Sequence, residues 1–176
     1  MTAAITQQAA LIAMLAGDPA TAESYLRLQY DSLYQMGERR FLATTAATLA
    51  RAIAAQGPSR YDEVIRLITM SQEAAADEDL SPQAIARGLY ARILADRGRH
   101  REAEELARSA VALSAQTDLL SERADTLLEL SHVLAASGQV SEAHSAATEA
   151  LDLYQLKGNL PGARESLRYV SQSAPA

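Results

Sequence analysis

Apolar residues recur every three to four positions along nearly the whole chain, and short clusters of Gly, Pro, Asn and Asp interrupt them at regular intervals. That rhythm predicts helices near 4–16, 19–36, 39–56, 60–76, 82–97, 100–116, 119–137, 140–157 and 161–172. Capping signals support the starts. Asp18-Pro19 and Ser81-Pro82 each set a capping side chain before a proline, whose missing N–H costs a helix nothing in its first turn. Ser59-Arg60-Tyr61-Asp62 approximates a capping box, and Asn159-Leu160-Pro161 opens a short last helix.

The glycines reveal an internal repeat. Gly17, Gly57, Gly98 and Gly138 stand 40, 41 and 40 residues apart, and each ends an apolar-periodic segment as a glycine just past a helix should. With a two-residue insertion after Gly57, Ala22, Val64, Ala103 and Ala143 become equivalent, followed seven residues later by Gln29, Ser71, Ala110 and Ala150. In the preceding helices Ala50, Ala91 and Ser131 align, with Leu49, Tyr90 and Leu130 before them and Ile53, Leu94 and Leu134 three residues after. Small residues thus face small residues across each helix pair. Antiparallel helices approach closely only where their contact positions lack bulk, so the alanine richness is a packing feature.

This pattern resembles the tetratricopeptide repeat family, in particular the long-helix variety of bacterial signalling ATPases, cyclase-associated proteins and maltose-regulator-like transcription factors. The resemblance implies an all-α fold, a right-handed α-solenoid of about four helix-turn-helix repeats (4–36, 39–76, 82–116, 119–157) with a C-terminal capping helix at 161–172, spanning 1–176 as one domain. It also implies that the first helix of each pair lines a concave groove and that the residue after the small packing position points into it. Those residues are Arg51, Arg92 and His132, a ladder suited to carboxylates on an extended or helical peptide, with Asp96 and Asp125 modulating it. The carboxylate-clamp members of the family use Lys and Asn at defined groove positions. This chain has a single Lys, Lys157, so that mode of binding is not implied.

Composition narrows the setting. A chain of 176 residues buries roughly 70% of its unfolded surface and needs no staples. Zero Cys excludes disulfides, thiolate metal sites and thiol nucleophiles, and fits the cytoplasm. The net charge of −6 argues against direct nucleic-acid binding. The Arg and Ala bias reads as that of a GC-rich bacterial genome. The run Ala9 to Ala16 is too short to span a bilayer and lacks the basic flank of a signal peptide, so no membrane association is expected. One Phe and no Trp leave the core to Ala and Leu, which favours close helix packing.

Catalytic chemistry finds little to work with. Glu129-x-x-His132 has the spacing of a di-iron ligand pair, with Asp125 one turn earlier, but neither His100 nor His144 has a Glu three residues before it to complete such a site. No nucleophile elbow, phosphate-binding loop, dinucleotide fingerprint or HExxH motif occurs. The Arg-rich turn 97–101 and Arg39-Arg40 read as solvated surface. The expectation is a non-enzymatic interaction or regulatory module without metal or cofactor, binding a protein or peptide partner. The alternative is a domain that senses a small molecule and changes assembly.

The two ends differ. Arg164, Glu165, Arg168 and the tail SQSAPA suit a solvated cap, whereas the segment from Ile5 to Leu15 carries no charge at all. Ile5, Leu11, Ile12 and Leu15 exceed what one packing stripe requires. The N-terminal helix is therefore expected to pack on a second copy of the chain or on an upstream domain.

Overall fold

Periodic apolar positions and strong terminators produce helices throughout the residues described by the computed structural model, 3–172. The last four residues of the SQSAPA tail lie outside that range. In chain order the helices are α1 (Ala3–Leu15), α2 (Pro19–Met36), α3 (Arg39–Ala54), α4 (Tyr61–Ala74), α5 (Leu80–Asp96), α6 (His100–Ser114), α7 (Leu120–Ala136), α8 (Val140–Lys157) and α9 (Leu160–Gln172). A single 3-10 turn, Pro58–Arg60, leads into α4. No strand occurs among the described residues.

Caps set several of these boundaries. The Asp18 carboxylate accepts the Thr21 N–H at 3.0 Å, and Asn159 accepts that of Gly162 at 3.0 Å, so two of the anticipated N-terminal caps form. Two others do not. Ser59 lies inside the 3-10 turn that the two-residue insertion creates, and α4 begins after Arg60 without a side-chain cap. Ser81 falls within α5, which starts one residue earlier at Leu80. Gly17, Gly57, Gly98 and Gly138 all have positive φ, between 76° and 115°, the left-handed conformation that lets the chain reverse between paired helices.

The backbone clusters into two compact units divided within α5, one ending at Ala86 and one beginning at Arg87. In unit 1, α1 packs on α2, α2 on α3 and α3 on α4. In unit 2, α6 packs on α7, α7 on α8, and α9 on both α8 and α7. The repeat register governs burial in each. Ala22, Val64, Ala103 and Ala143 are all fully buried, as are Ala50, Ala91, Ser71, Ala110 and Ala150. Val64 and Gln29 are the larger residues of the two sets, and both are buried. Leu26, Leu49 and Ile53 in unit 1 and Leu134 and Tyr154 in unit 2 supply the bulk, each apolar side chain stabilising the fold by about 1.5–3 kcal/mol.

Serine can replace alanine at these contacts because its hydroxyl finds a carbonyl on the facing helix. Ser71 donates to Ala43 O at 2.8 Å in unit 1, and Ser131 donates to Ala143 O at 2.8 Å in unit 2. Tyr154 closes the end of unit 2: its hydroxyl donates to Asp125 on α7, while its ring lies under Gly162 on α9, where a Cβ would come within 2.6 Å.

Candidate functional site

In unit 2 the first helices of successive pairs, α5, α7 and the terminal α9, carry a row of polar side chains that their packing does not require. Arg92 follows the buried Ala91 on α5, and its guanidinium donates to Glu129 of α7 at 3.2 Å and to the Tyr169 hydroxyl of α9 at 3.5 Å. One turn along, Asp96 lies 2.7 Å from Nε2 of His132 on α7. All four members on α5 and α7 remain partly open, with Arg92 30%, Asp96 32%, His132 25% and Glu129 17% exposed along the side chain. Gly88, one turn before Arg92, lies beside the Glu129 stem, whose Cγ is 3.5 Å from where a Cβ would stand, an ordinary contact distance.

Glu129 is the most constrained group of the row. Burial pushes its carboxyl above the ordinary glutamate range, opposed by the positive field of Arg92. Burial likewise raises the Tyr169 phenol. The two members of the Glu129-x-x-His132 pair therefore turn to separate partners on α5. Among the described residues no group of three or more His, Cys, Asp or Glu is arranged to hold a metal ion.

The structure thus brings together Arg92, Asp96 and His132 of the residues singled out in the sequence. Asp125 is drawn instead into the Tyr154 contact between α7 and α8. Arg51 holds the register position of Arg92 in unit 1, half-buried on α3. Tyr169 was not legible as a site residue, since nothing in the sequence distinguishes it from six other tyrosines. Glu129 was visible only as half of a metal-ligand spacing.

The arginine-rich stretches have local partners. Arg99 pairs with Glu102, Arg101 with Glu105 at 3.1 Å, and Arg39 donates to the Glu73 carbonyl. Among the described side chains of α1, Thr6, Ala10 and Ala13 are buried, whereas Ile5, Leu11, Ile12 and Leu15 are 55%, 49%, 65% and 39% exposed. Among the described residues no helix is long and apolar enough to cross a membrane.

A second set of charges joins consecutive repeats inside each unit. In unit 1, Arg60 donates to Glu23 at 2.7 and 2.8 Å and to Glu63 at 2.6 Å, while Arg27 bridges the same two carboxylates. Glu23 is held down at about 2, chiefly by its hydrogen bonds from Arg60. In unit 2, Arg108 bridges Glu104 at 2.9 Å and Glu142 at 2.7 Å, and Gln139 donates to Glu104 at 2.7 Å. The positions correspond in repeat register: Glu23, Arg27 and Glu63 match Glu104, Arg108 and Glu142.

No family model and no curated protein matches the chain. Solved structures do. Two crystal structures of the nearly identical TPR-like repeats of a candidate kinesin light chain from Podosopora anserina, one of them a point variant, superpose with a TM-score of 0.57 at 21% identity, over 96% of this chain and 92% of theirs. The chain is therefore an all-α helical-repeat protein with the fold of tetratricopeptide-like repeats.

Proposed function

We propose that this chain is a non-enzymatic interaction module of a bacterial regulatory or signalling protein, acting in the cytoplasm and taking a peptide segment of a partner along α5, α7 and α9 of unit 2. Repeats of this fold commonly serve as protein interaction scaffolds. The observation that carries the reading is the row Arg92, Asp96, Glu129, His132 and Tyr169, placed on three successive first helices and left partly open. Five polar groups along one row contribute little to a helix core, since each needs a partner to offset its desolvation.

The row presents Arg92 and His132 already hydrogen-bonded to carboxylates, which keeps both side chains ordered before a ligand arrives. A ligand carboxylate competes with Glu129 for the Arg92 guanidinium. Glu129 is the partner that yields, because burial already favours its protonated form. Asp96 holds the His132 ring in place beside it. Arg51 puts equivalent chemistry on α3 of unit 1.

Peptides enriched from a displayed random library on the intact chain provide the test. They should be acidic, and Arg92→Ala should weaken their binding roughly tenfold, about 1.4 kcal/mol, with helical content unchanged. Peptides whose affinity ignores Arg92→Ala and His132→Ala alike would remove the row from the binding surface.

A further inference from the structure

We infer that the exposed face of α1 is the contact surface of a two-fold homodimer in which α1 packs antiparallel on α1 of a second copy. The repeat register identifies the face. Ile5 and Ile12 correspond to Thr45 and Ala52 on α3 and to Thr126 and Val133 on α7. Those four residues are at most 5% exposed, whereas Ile5 is 55% and Ile12 65% exposed.

What covers the internal equivalents is the second helix of the preceding repeat. The Thr126 hydroxyl lies 2.8 Å from that of Ser114 on α6, and Val133 shares a core with Ala103 and Ala107 of the same helix. In unit 1, α2 packs on α3, the helix of Thr45 and Ala52. The face of α1 is thus half of an interface that this chain builds elsewhere, with apolar side chains at the positions that interface buries.

Two features select a second copy as the occupant. The first is charge: α1 is the only described helix with no Asp, Glu, Lys, Arg or His. An isologous contact presents the same face from both copies, so a charge close to the two-fold axis would meet its own copy. An uncharged helix avoids that penalty, whereas pairing with a different protein gains orientation and specificity from flanking charges that α1 does not have. The second is spacing. The exposed positions Ile5, Gln8, Ile12 and Leu15 follow one another at three, four and three residues, the interval of a helix-pair seam, and read the same in both directions. An antiparallel pair centred on this seam sets Ile5 against the partner's Leu15 and Gln8 against the partner's Ile12. The antiparallel sense is also the one in which a preceding second helix meets each internal first helix.

The test uses the full chain in a light-scattering concentration series. The native protein should rise from 18.8 kDa toward twice that mass and stop there. Ile12→Glu should hold the monomer mass across the series while keeping its helical content, since Ile12 is an exposed position. Ile5→Glu, at another point of the seam, should do the same, so the result does not hang on one variant. Leu156→Glu, on the still more exposed Leu156 of α8, should pair like the native chain. A native chain that stays monomeric up to its solubility limit, a mass that climbs past two copies, or undiminished pairing in both α1 variants would overturn the inference.

Discussion

The two units solve one packing problem with different chemistry at their ends. Each contains a buried register of small residues and a Glu, Arg and Glu bridge between consecutive repeats, at corresponding positions. Unit 2 ends in α9, which carries Arg164, Glu165 and Arg168 outward and seats Gly162 on the Tyr154 ring. Unit 1 begins in α1, which buries Thr6, Ala10 and Ala13 and leaves an uncharged apolar face open. The register fixes where helices touch, and the residues outside it decide whether an end is a cap or a contact surface. The same division holds for the first helices: unit 2 places Arg92, Glu129 and His132 along them, where unit 1 has Leu11, Thr48 and Arg51.

The largest expected effect concerns the cap of unit 2. Gly162→Ala drives a methyl group to 2.6 Å from the buried Tyr154 ring, and it should cost about 1–3 kcal/mol in urea unfolding. Gly88→Ala, whose added carbon meets nothing closer than 3.5 Å, should be neutral or slightly stabilising through helix propensity. Equal effects of the two substitutions would mean that α9 is not seated on Tyr154.

Next comes the difference between the two inter-repeat bridges. Glu23 takes hydrogen bonds from Arg60, Arg27 and Gln56, and its side chain is 12% exposed, against 27% for Glu104. Glu23→Gln should therefore cost roughly 1–3 kcal/mol. Glu104→Gln should cost less than about 1 kcal/mol, as exposed pairs do. Chemical denaturation of both variants sharpens the comparison, and a reversed order would break it.

Glu23 in unit 1 and Glu129 in unit 2 contribute pH dependences of opposite sign. Glu23 sits at about 2 in the folded chain against an ordinary 4.5, so its stabilisation is complete above about pH 4.5 and is lost as pH falls toward 2. Glu129 is raised by burial, so its ionisation costs stability at neutral pH, and acidification toward 4.5 relieves that cost. Unfolding midpoints followed from pH 7 downward should show Glu23→Gln flattening the acid loss below 4.5 and Glu129→Gln removing the gain above it. The smallest effect belongs to Arg101→Ala, where a pair 91% and 68% exposed should shift stability by less than about 0.5 kcal/mol.

Helix positions and contact faces were legible in the sequence because they rest on periodicity, glycine spacing and small residues, all local or repeated signals. Ala103 and Ala143 followed from alignment alone. The Ser59 capping box failed because the insertion after Gly57 makes a 3-10 turn, a choice that local sequence left open. The site was only partly readable. Arg92 and His132 were placed by register, but their pairing with Glu129 and Asp96 depends on how α5 and α7 lie side by side, and Tyr169 enters 77 residues after Arg92. Asp125 shows the reverse: its position suggested the groove, and a tyrosine 29 residues later claims it for packing.

The claim that the first helices of unit 2 form the binding surface is tested most directly by amide hydrogen exchange of the intact chain with and without a selected acidic peptide. The account predicts added protection along α7 and α9 and along α5 from Arg87 onward, absent in Arg92→Ala. Protection confined to α6 and α8, the second helices of the same repeats, would contradict it.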